Sequence, residues 1–258
     1  MADSLADVVA GVVLAAGKGR RLRPLSSLRP KALCPIGATT LVERAISQVG
    51  AVTGAPVLVN VHHGRDRMVA QLGDRRDVQL SIEEPVALGT AGALAAMAEQ
   101  LDGRSALVVN ADTVHAEDLG AFVAGWDGRR VRVLGTPQPD VGGFGPRSGV
   151  VASIAPWERI RELAAEPSGL WEALWRSELA AARLDAVLTD GTVVDCGTPA
   201  QYLAANLWLS GGRPVIGEGA VVRGTVERCV LWPGVVVEPG EVLVDAIRAD
   251  ARTTVLIR

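Results

Sequence analysis

Val8-Val9-Ala10-Gly11-Val12-Val13-Leu14 runs directly into Ala15-Ala16-Gly17-Lys18-Gly19-Arg20-Arg21-Leu22-Arg23-Pro24-Leu25. An unbroken apolar run with β-branched residues suits a strand buried on both faces of a parallel sheet. Such sheets bind ligands at the carboxyl ends of their strands. Gly17 and Gly19 stand where backbone N–H groups would have to approach phosphate oxygens closely. The loop continues through Arg29-Pro30-Lys31 to about Gly37, so five cations (Arg20, Arg21, Arg23, Arg29 and Lys31) follow the turn within a short span. A glycine-rich turn with a cation cluster suits a triphosphate; by spacing alone it reads equally as a solvated basic loop.

Two familiar phosphate motifs are excluded. A Walker loop places four residues between its glycines and Ser or Thr after its Lys. Here five residues separate Gly11 from Gly17, and Gly19 follows Lys18. A dinucleotide fingerprint needs a third glycine where this chain has Leu22.

Lys18 and Lys31 are the only lysines among 26 basic residues, and both fall in this stretch. Arginine is a rigid planar fork and lysine a compact point charge on a flexible stem. A lysine kept in an arginine-rich chain marks a candidate position where the fork does not serve.

At 258 residues, the chain is long enough for one large domain or a main domain with an appendage. A net charge of −3 gives no global field for nucleic acid or an anionic membrane. Cys34, Cys196 and Cys229 are odd in number and far apart, which suits a reducing compartment and neither a disulfide framework nor a zinc site. The first residues, Met1-Ala2-Asp3-Ser4-Leu5-Ala6-Asp7, carry acids where a signal peptide carries bases. No apolar run approaches the roughly 20 residues of a membrane span. A cytoplasmic location is expected.

Beyond the first strand, the pattern predicts a helix from Thr40 through Val49, a strand over Val57–Val61 and a short helix over Arg65–Leu72. A strand follows over Val78–Ile82, a helix over Thr90–Leu101 and a strand over Ala106–Asn110. Helices are further expected over Pro156–Ala164, Leu170–Ala182 and Pro199 to about Leu209. Alternating strands and helices predict an α/β fold, a Rossmann-like doubly wound domain with a mostly parallel sheet, over residues 1–211. From 212 to 258 the texture changes. Blocks such as Val215-Ile216-Gly217-Glu218-Gly219-Ala220 and Pro233-Gly234-Val235-Val236-Val237-Glu238 recur at about six residues, as a short left-handed parallel β-helix of hexapeptide repeats requires. That tail is read as structural or as a homo-oligomer contact.

The loop also resembles the signature of the sugar-1-phosphate nucleotidyltransferases (nucleotide-sugar pyrophosphorylases), L-A-A-G-x-G-x-R-L-x-P-L followed by P-K. Val57-Leu58-Val59-Asn60-Val61-His62-His63 is similar to that family's second-strand segment. Glu84-Pro85-Val86-Ala87-Leu88-Gly89-Thr90-Ala91-Gly92-Ala93-Leu94 resembles its base-binding loop. Asn110-Ala111-Asp112 resembles its N-G-D metal motif, and Asp195-Cys196-Gly197-Thr198-Pro199-Ala200-Gln201-Tyr202 its D-x-G-T-P-x-x-Y motif. The resemblance implies an EC 2.7.7-type transferase with a nucleoside triphosphate and a sugar 1-phosphate as partners. It looks most like the mannose-1-phosphate guanylyltransferase branch.

The implied reaction is in-line attack of a sugar-1-phosphate oxygen on the α-phosphorus, expelling pyrophosphate. Arg21 and Lys31 are then the catalytic cations. Leu14, Ala15, Ala16, Gly17, Gly19, Arg20, Gly89 and Thr90 line the nucleotide, and Asp112 and Asp195 share a Mg²⁺ at the sheet's carboxyl edge. Outside that resemblance, Asp112 also reads as a cap and Asp195 as a turn residue.

Many relatives carry a further lysine in a Glu-Lys-Pro segment that anchors the sugar's phosphate. The region from Gly135 to Ala152 has none, and Arg147, followed by Gly149, is the expected substitute. The adjacent His62 and His63 point to opposite faces of a strand and are not read as metal ligands. Trp171, Trp175 and Cys34 are read as packing residues. The alternatives are uridylyl or other nucleotidyl transfer to a different sugar 1-phosphate, and a non-catalytic subunit that binds nucleotide sugars.

Overall fold

In a computed structural model, which describes residues 8–54 and 56–257, the opening apolar run becomes β1 (Val9–Leu14), an inner strand of a seven-stranded sheet. The acidic segment 1–7 lies outside the described residues. The other six strands are β2 (Val57–Val61), β3 (Val78–Ile82), β4 (Ser105–Asn110), β5 (Val131–Gly135), β6 (Val150–Ala155) and β7 (Leu184–Leu188). Across the sheet they run β7-β5-β6-β4-β1-β2-β3. All are parallel except β6, which lies antiparallel to both β4 and β5. The mostly parallel α/β sheet expected from the sequence is therefore present.

Burial on both faces accounts for the continuous apolar character of β1. Ala10 and Val12 pack into a core with Leu94, Met97, Phe144 and Trp175. Gly11, pointing the other way, leaves no room for a methyl group beside Val49 and Thr53 of helix α1 (Leu41–Thr53). Leu14 aligns with Asn60 on one side and Asn110 on the other, so β1, β2 and β4 end level at their carboxyl edge.

Helix α2 (Arg65–Leu72) forms where expected. The single helix expected over Thr90–Leu101 is instead α3 (Gly89–Ala96) and a turn over Ala98–Leu101, separated at Met97, whose N–H is shared by the carbonyls of Ala93 and Leu94. The helix expected from Pro156 stops at Ile160. The chain then lays its backbone against the start of α3: Ala91 N donates to Ser168 O, and Ser168 N to Leu88 O, both at 3.0 Å. The expected Leu170–Ala182 helix opens with a π turn over Trp171–Trp175 and continues as α-helix over Arg176–Ala180.

The chain divides into two compact units, Met1–Gly17 with Ala45–Val193 and Lys18–Arg44 with Val194–Arg258. The sheet belongs to the first. In the second, the basic loop is ordered by short helical turns at Arg20–Leu22, Leu25–Leu28 and Lys31–Leu33, and by a two-residue ladder between Pro35–Ile36 and Thr39–Thr40. Apolar side chains between the cations explain this order: Leu22, Leu25 and Cys34 are fully buried. Thr40 and Glu43 form a reciprocal capping box, Glu43 N donating to Thr40 Oγ1 and Thr40 N to Glu43 Oε2.

Helix α4 (Pro199–Leu209) has Thr198 as its cap and Pro199 in its first turn. After it, short strands stack in parallel: Val215–Ile216 on Val230–Leu231 on Ala246–Arg248, Val221–Val222 on Val236–Val237, and Thr225–Glu227 on Val242–Val244. These ladders are compatible with hexapeptide coils. A last strand, Thr254–Leu256, returns antiparallel to Ala246–Arg248. Among the described residues, no helix is long and apolar enough to cross a membrane.

Candidate active site

Three sequence-predicted residues meet in the second unit. Lys31 Nζ stands 3.3 Å from Asp195 Oδ1, and Arg21 Nη2 stands 3.3 Å from Asp195 Oδ2. The two cations differ in setting. The Lys31 side chain is only 10% exposed, whereas that of Arg21 is 71% exposed and that of Asp195 is 47% exposed. Lys18, the other lysine, is exposed.

Gly19 explains how Lys31 is held. Its backbone is left-handed (φ 59°), and a Cβ there would lie 2.9 Å from Lys31 Cβ. The lysine stem packs onto the glycine, while Ser26 Oγ donates to Gly19 O at 2.6 Å. Gly197 has a similar steric role at the other end of the cluster: a Cβ there would sit 2.8 Å from Arg21 Nη2 and 3.0 Å from Asp195 Oδ2. Arg20 points its side chain to solvent.

The same unit holds a set of buried polar contacts. The Tyr202 hydroxyl donates to Pro35 O, Trp232 Nε1 donates to the Tyr202 oxygen at 3.1 Å, and Asn206 Oδ1 accepts from Gly37 N at 3.0 Å. The Arg29 guanidinium lies 4.7 Å from the centre of the Trp232 ring. Burial pushes the Cys34 thiol up to about 12, only partly offset by Arg29 and Lys31. Cys34 therefore stays a neutral thiol that packs. Burial also raises the Tyr202 phenol well above its ordinary value.

In the first unit, the carboxyl edge of the sheet carries a second constellation. Ala15 N donates to Asn60 Oδ1 at 2.6 Å, Asn60 Nδ2 donates to Glu83 Oε1 at 2.7 Å, and Glu83 Oε2 accepts from Leu88 N at 2.8 Å. Asn60 and Glu83 are both buried. This relay joins the signature loop to the turn before Gly89. Sequence reasoning assigned neither residue a role. The available signal was a polar residue ending an apolar strand and an acid just ahead of the glycine-rich turn.

Gly89 and Thr90 face the Glu166–Leu170 segment. The Gly89 α-carbon abuts Ser168 O, and Thr90 Oγ1 accepts from Leu170 N at 2.7 Å. Beside them opens a cavity of about 210 Å³ lined by Leu14, Thr90, Asn110, Val150, Trp171 and Glu172 among others. Asp112 is half-buried two residues past the end of β4, and Ala111 N donates to Leu14 O at 3.0 Å.

Arg147 is engaged by its own loop, donating to Pro139 O at 3.0 Å and lying 3.6 Å from Asp140. Gly149 is paired to Thr136 through both its N–H and its carbonyl. His62 Nδ1 lies 3.0 Å from Glu83 O, just past the end of β2. No group of three or more His, Cys, Asp or Glu side chains among the described residues forms a ready-made metal cage.

This geometry can be set beside known proteins. The chain is 33% identical over 132 residues to an N-acetylmuramate alpha-1-phosphate uridylyltransferase of Caulobacter vibrioides, covering 47% of this chain and 54% of that protein. It is also 33% identical over 118 residues to a mannose-1-phosphate guanylyltransferase of Mycobacterium tuberculosis, covering 45% of this chain and 33% of that one. The matched region thus spans about half of the first relative and a third of the second. The crystal structure of HddC from Yersinia pseudotuberculosis, complexed with GMP-PN, shares the fold with a TM-score of 0.61 at 18% identity, over 78% of this chain and 99% of that one. A family model described as nucleotidyl transferase matches residues 10–145, more than half of the chain. The chain belongs to the nucleotidyl transferase family.

Proposed function

We propose that this chain transfers a nucleotidyl group from a nucleoside triphosphate to a sugar 1-phosphate, releasing pyrophosphate. GTP and a mannose-1-phosphate-like sugar are the preferred pair. Uridylyl transfer is the alternative, supported by the 33% identity to a uridylyltransferase. The observation that carries the reading is the nearly buried Lys31, aimed at Asp195 beside Arg21 within the signature loop.

Transfer of this kind asks the protein for positioning and charge neutralisation rather than covalent chemistry. Lys31 is preorganised for it: the stem rests on Gly19 and the ammonium is already oriented, so little reorganisation is needed when charge develops. Arg21, exposed beside Asp195, is assigned to the β- and γ-phosphates and the departing pyrophosphate. The Asn60–Glu83 relay holds Ala15 and Leu88 in place, and Ala15 commits its N–H to that relay.

Asp112 and Asp195 are the carboxylates assigned to a divalent cation, Mg²⁺. Their hard oxygen donors fit it, since Mg²⁺ usually takes one or two carboxylates and completes its shell with phosphate oxygens and water. When bound, the ion neutralises phosphate charge. The same reading places the protein in the cytoplasm and gives the C-terminal ladders a structural or oligomeric role, which light scattering tests.

The decisive experiment is a pyrophosphate-release screen of nucleoside triphosphates against a panel of sugar 1-phosphates. Release with at least one pair is expected, and Asp112→Ala should abolish that Mg²⁺-dependent release; unchanged release would exclude Asp112 as a ligand. No release with any pair would move the assignment to a nucleotide-sugar-binding protein.

A further inference from the structure

The cavity beside Thr90 has an unusual wall. None of its lining residues is Lys, Arg or His. Its one charged side chain is Glu172, which among the described residues has no ion-pair partner. Gly169 makes room for that carboxylate: a Cβ at Gly169 would collide with Glu172 Oε2. Trp171 supplies an aromatic surface, fixed edge-on against Phe144 with centroids 6.1 Å apart. Trp175 packs on the same Phe144 at 5.9 Å, and its buried indole N–H has no acceptor among the described residues. Asn110 adds an amide at the end of β4.

Each of these features constrains an occupant. A phosphate needs cations or a metal ion, so the phosphate end of a sugar 1-phosphate lies outside this wall. Pockets for drug-sized ligands run roughly 300–1,000 Å³, so a cavity of about 210 Å³ suits a single ring. An aromatic face accepts the C–H face of a pyranose, and a carboxylate accepts hydrogen bonds from its hydroxyls. A carboxylate on the sugar would meet Glu172 with no cation between them.

We propose that this cavity receives the ring of an uncharged hexose 1-phosphate, and that Glu172 excludes sugars bearing a carboxylate. The proposal rests on the nucleotidyl-transfer reading of the same site and narrows its substrate class.

Two measurements test it on the full chain. The first is the ratio of kcat/KM in pyrophosphate release for mannose 1-phosphate over N-acetylmuramate 1-phosphate. The second is the ratio of their affinities, by calorimetry, with a non-transferable α,β-methylene GTP present. Charge repulsion at this range should favour the uncharged sugar by about 10- to 100-fold. The near-isosteric Glu172→Gln should bring both ratios to within about threefold, and Glu172→Arg should invert them. A wild-type ratio near one, or a ratio unmoved by Glu172→Gln, overturns the proposal while leaving the reaction intact. If neither sugar releases pyrophosphate, the reaction reading fails for these donors and acceptors. The affinity ratio then still decides what the cavity admits.

Discussion

Trp232, in the C-terminal ladder segment, donates its indole N–H to the hydroxyl oxygen of Tyr202 at 3.1 Å, and Tyr202 donates its own O–H to the carbonyl of Pro35. With Arg29 over the same indole, three segments distant in sequence meet within the second unit. Trp232→Phe keeps the ring and removes the donor, so it should cost about 0.5–1.5 kcal/mol. Trp232→Ala also opens a cavity and should cost about 3–5 kcal/mol. Urea midpoints of the two variants would separate the hydrogen bond from the packing; a wild-type midpoint in Trp232→Phe would show that the N–H contributes nothing.

Lys31→Ala should lower kcat by roughly 10²–10³-fold, as expected for losing one preorganised electrostatic contact. Lys31→Arg should not rescue it, because the guanidinium is a wide fork and the stem lies against Gly19. Steady-state pyrophosphate release measures both, and turnover near wild type in Lys31→Ala would remove the residue from the mechanism. Gly19→Ala is the companion test: it forces a left-handed alanine at a cost of about 1–2 kcal/mol and displaces the lysine stem. Its kcat should fall along with its stability.

Glu83→Gln should weaken the relay without changing its shape. The carboxylate accepts from both Asn60 and Leu88, and an amide offers only one oxygen. One donor is then left buried and unpaired, at a cost of about 1–3 kcal/mol. Because the relay reaches Ala15, KM for the nucleoside triphosphate should rise more than kcat falls. A stability loss with an unchanged KM would make the relay purely structural.

Alkaline pH should destabilise the fold through buried acids of the second unit. In the unfolded chain the Cys34 thiol ionises near its ordinary value of 9.0, whereas in the fold it is pushed up to about 12. Between these values the unfolded state gives up a proton that the folded state keeps. The stability is therefore complete below pH 9 and declines as pH rises towards 12. Tyr202 adds a loss of the same sign above its ordinary value of 10.0. Urea midpoints from pH about 8 to about 11 should fall, and Cys34→Ala should flatten the curve. Native Cys34 should also resist iodoacetamide.

How much of this was legible in the sequence depended on how local the physics was. Val9–Leu14, Val57–Val61, Val78–Ile82 and Pro199–Leu209 announce themselves through apolar runs, alternation or a cap, and each forms close to where it was expected. Val131–Gly135 and Leu184–Leu188 escaped because Arg132 and Asp185 interrupt short runs, and the pair they make at 3.5 Å exists only once those strands lie side by side. The helix after Pro156 was overestimated because its continuation is diverted to bond the backbone at the start of α3, a contact about eighty residues away in sequence. At the site, Arg21, Lys31 and Asp195 could be named from motifs. The Asn60–Glu83 relay and the Trp232 support could not, since each depends on partners brought together by the fold.

The stacking of Arg29 on Trp232 also bears on how this protein can be taken apart or recombined. A cut at residue 211 looks natural from composition, yet it would remove the indole on which Arg29 of the basic loop rests and expose the Tyr202 hydroxyl. The C-terminal segment is therefore not an interchangeable cassette. A chimera carrying a foreign tail would need an aromatic donor at the position of Trp232 before its loop could hold the native geometry.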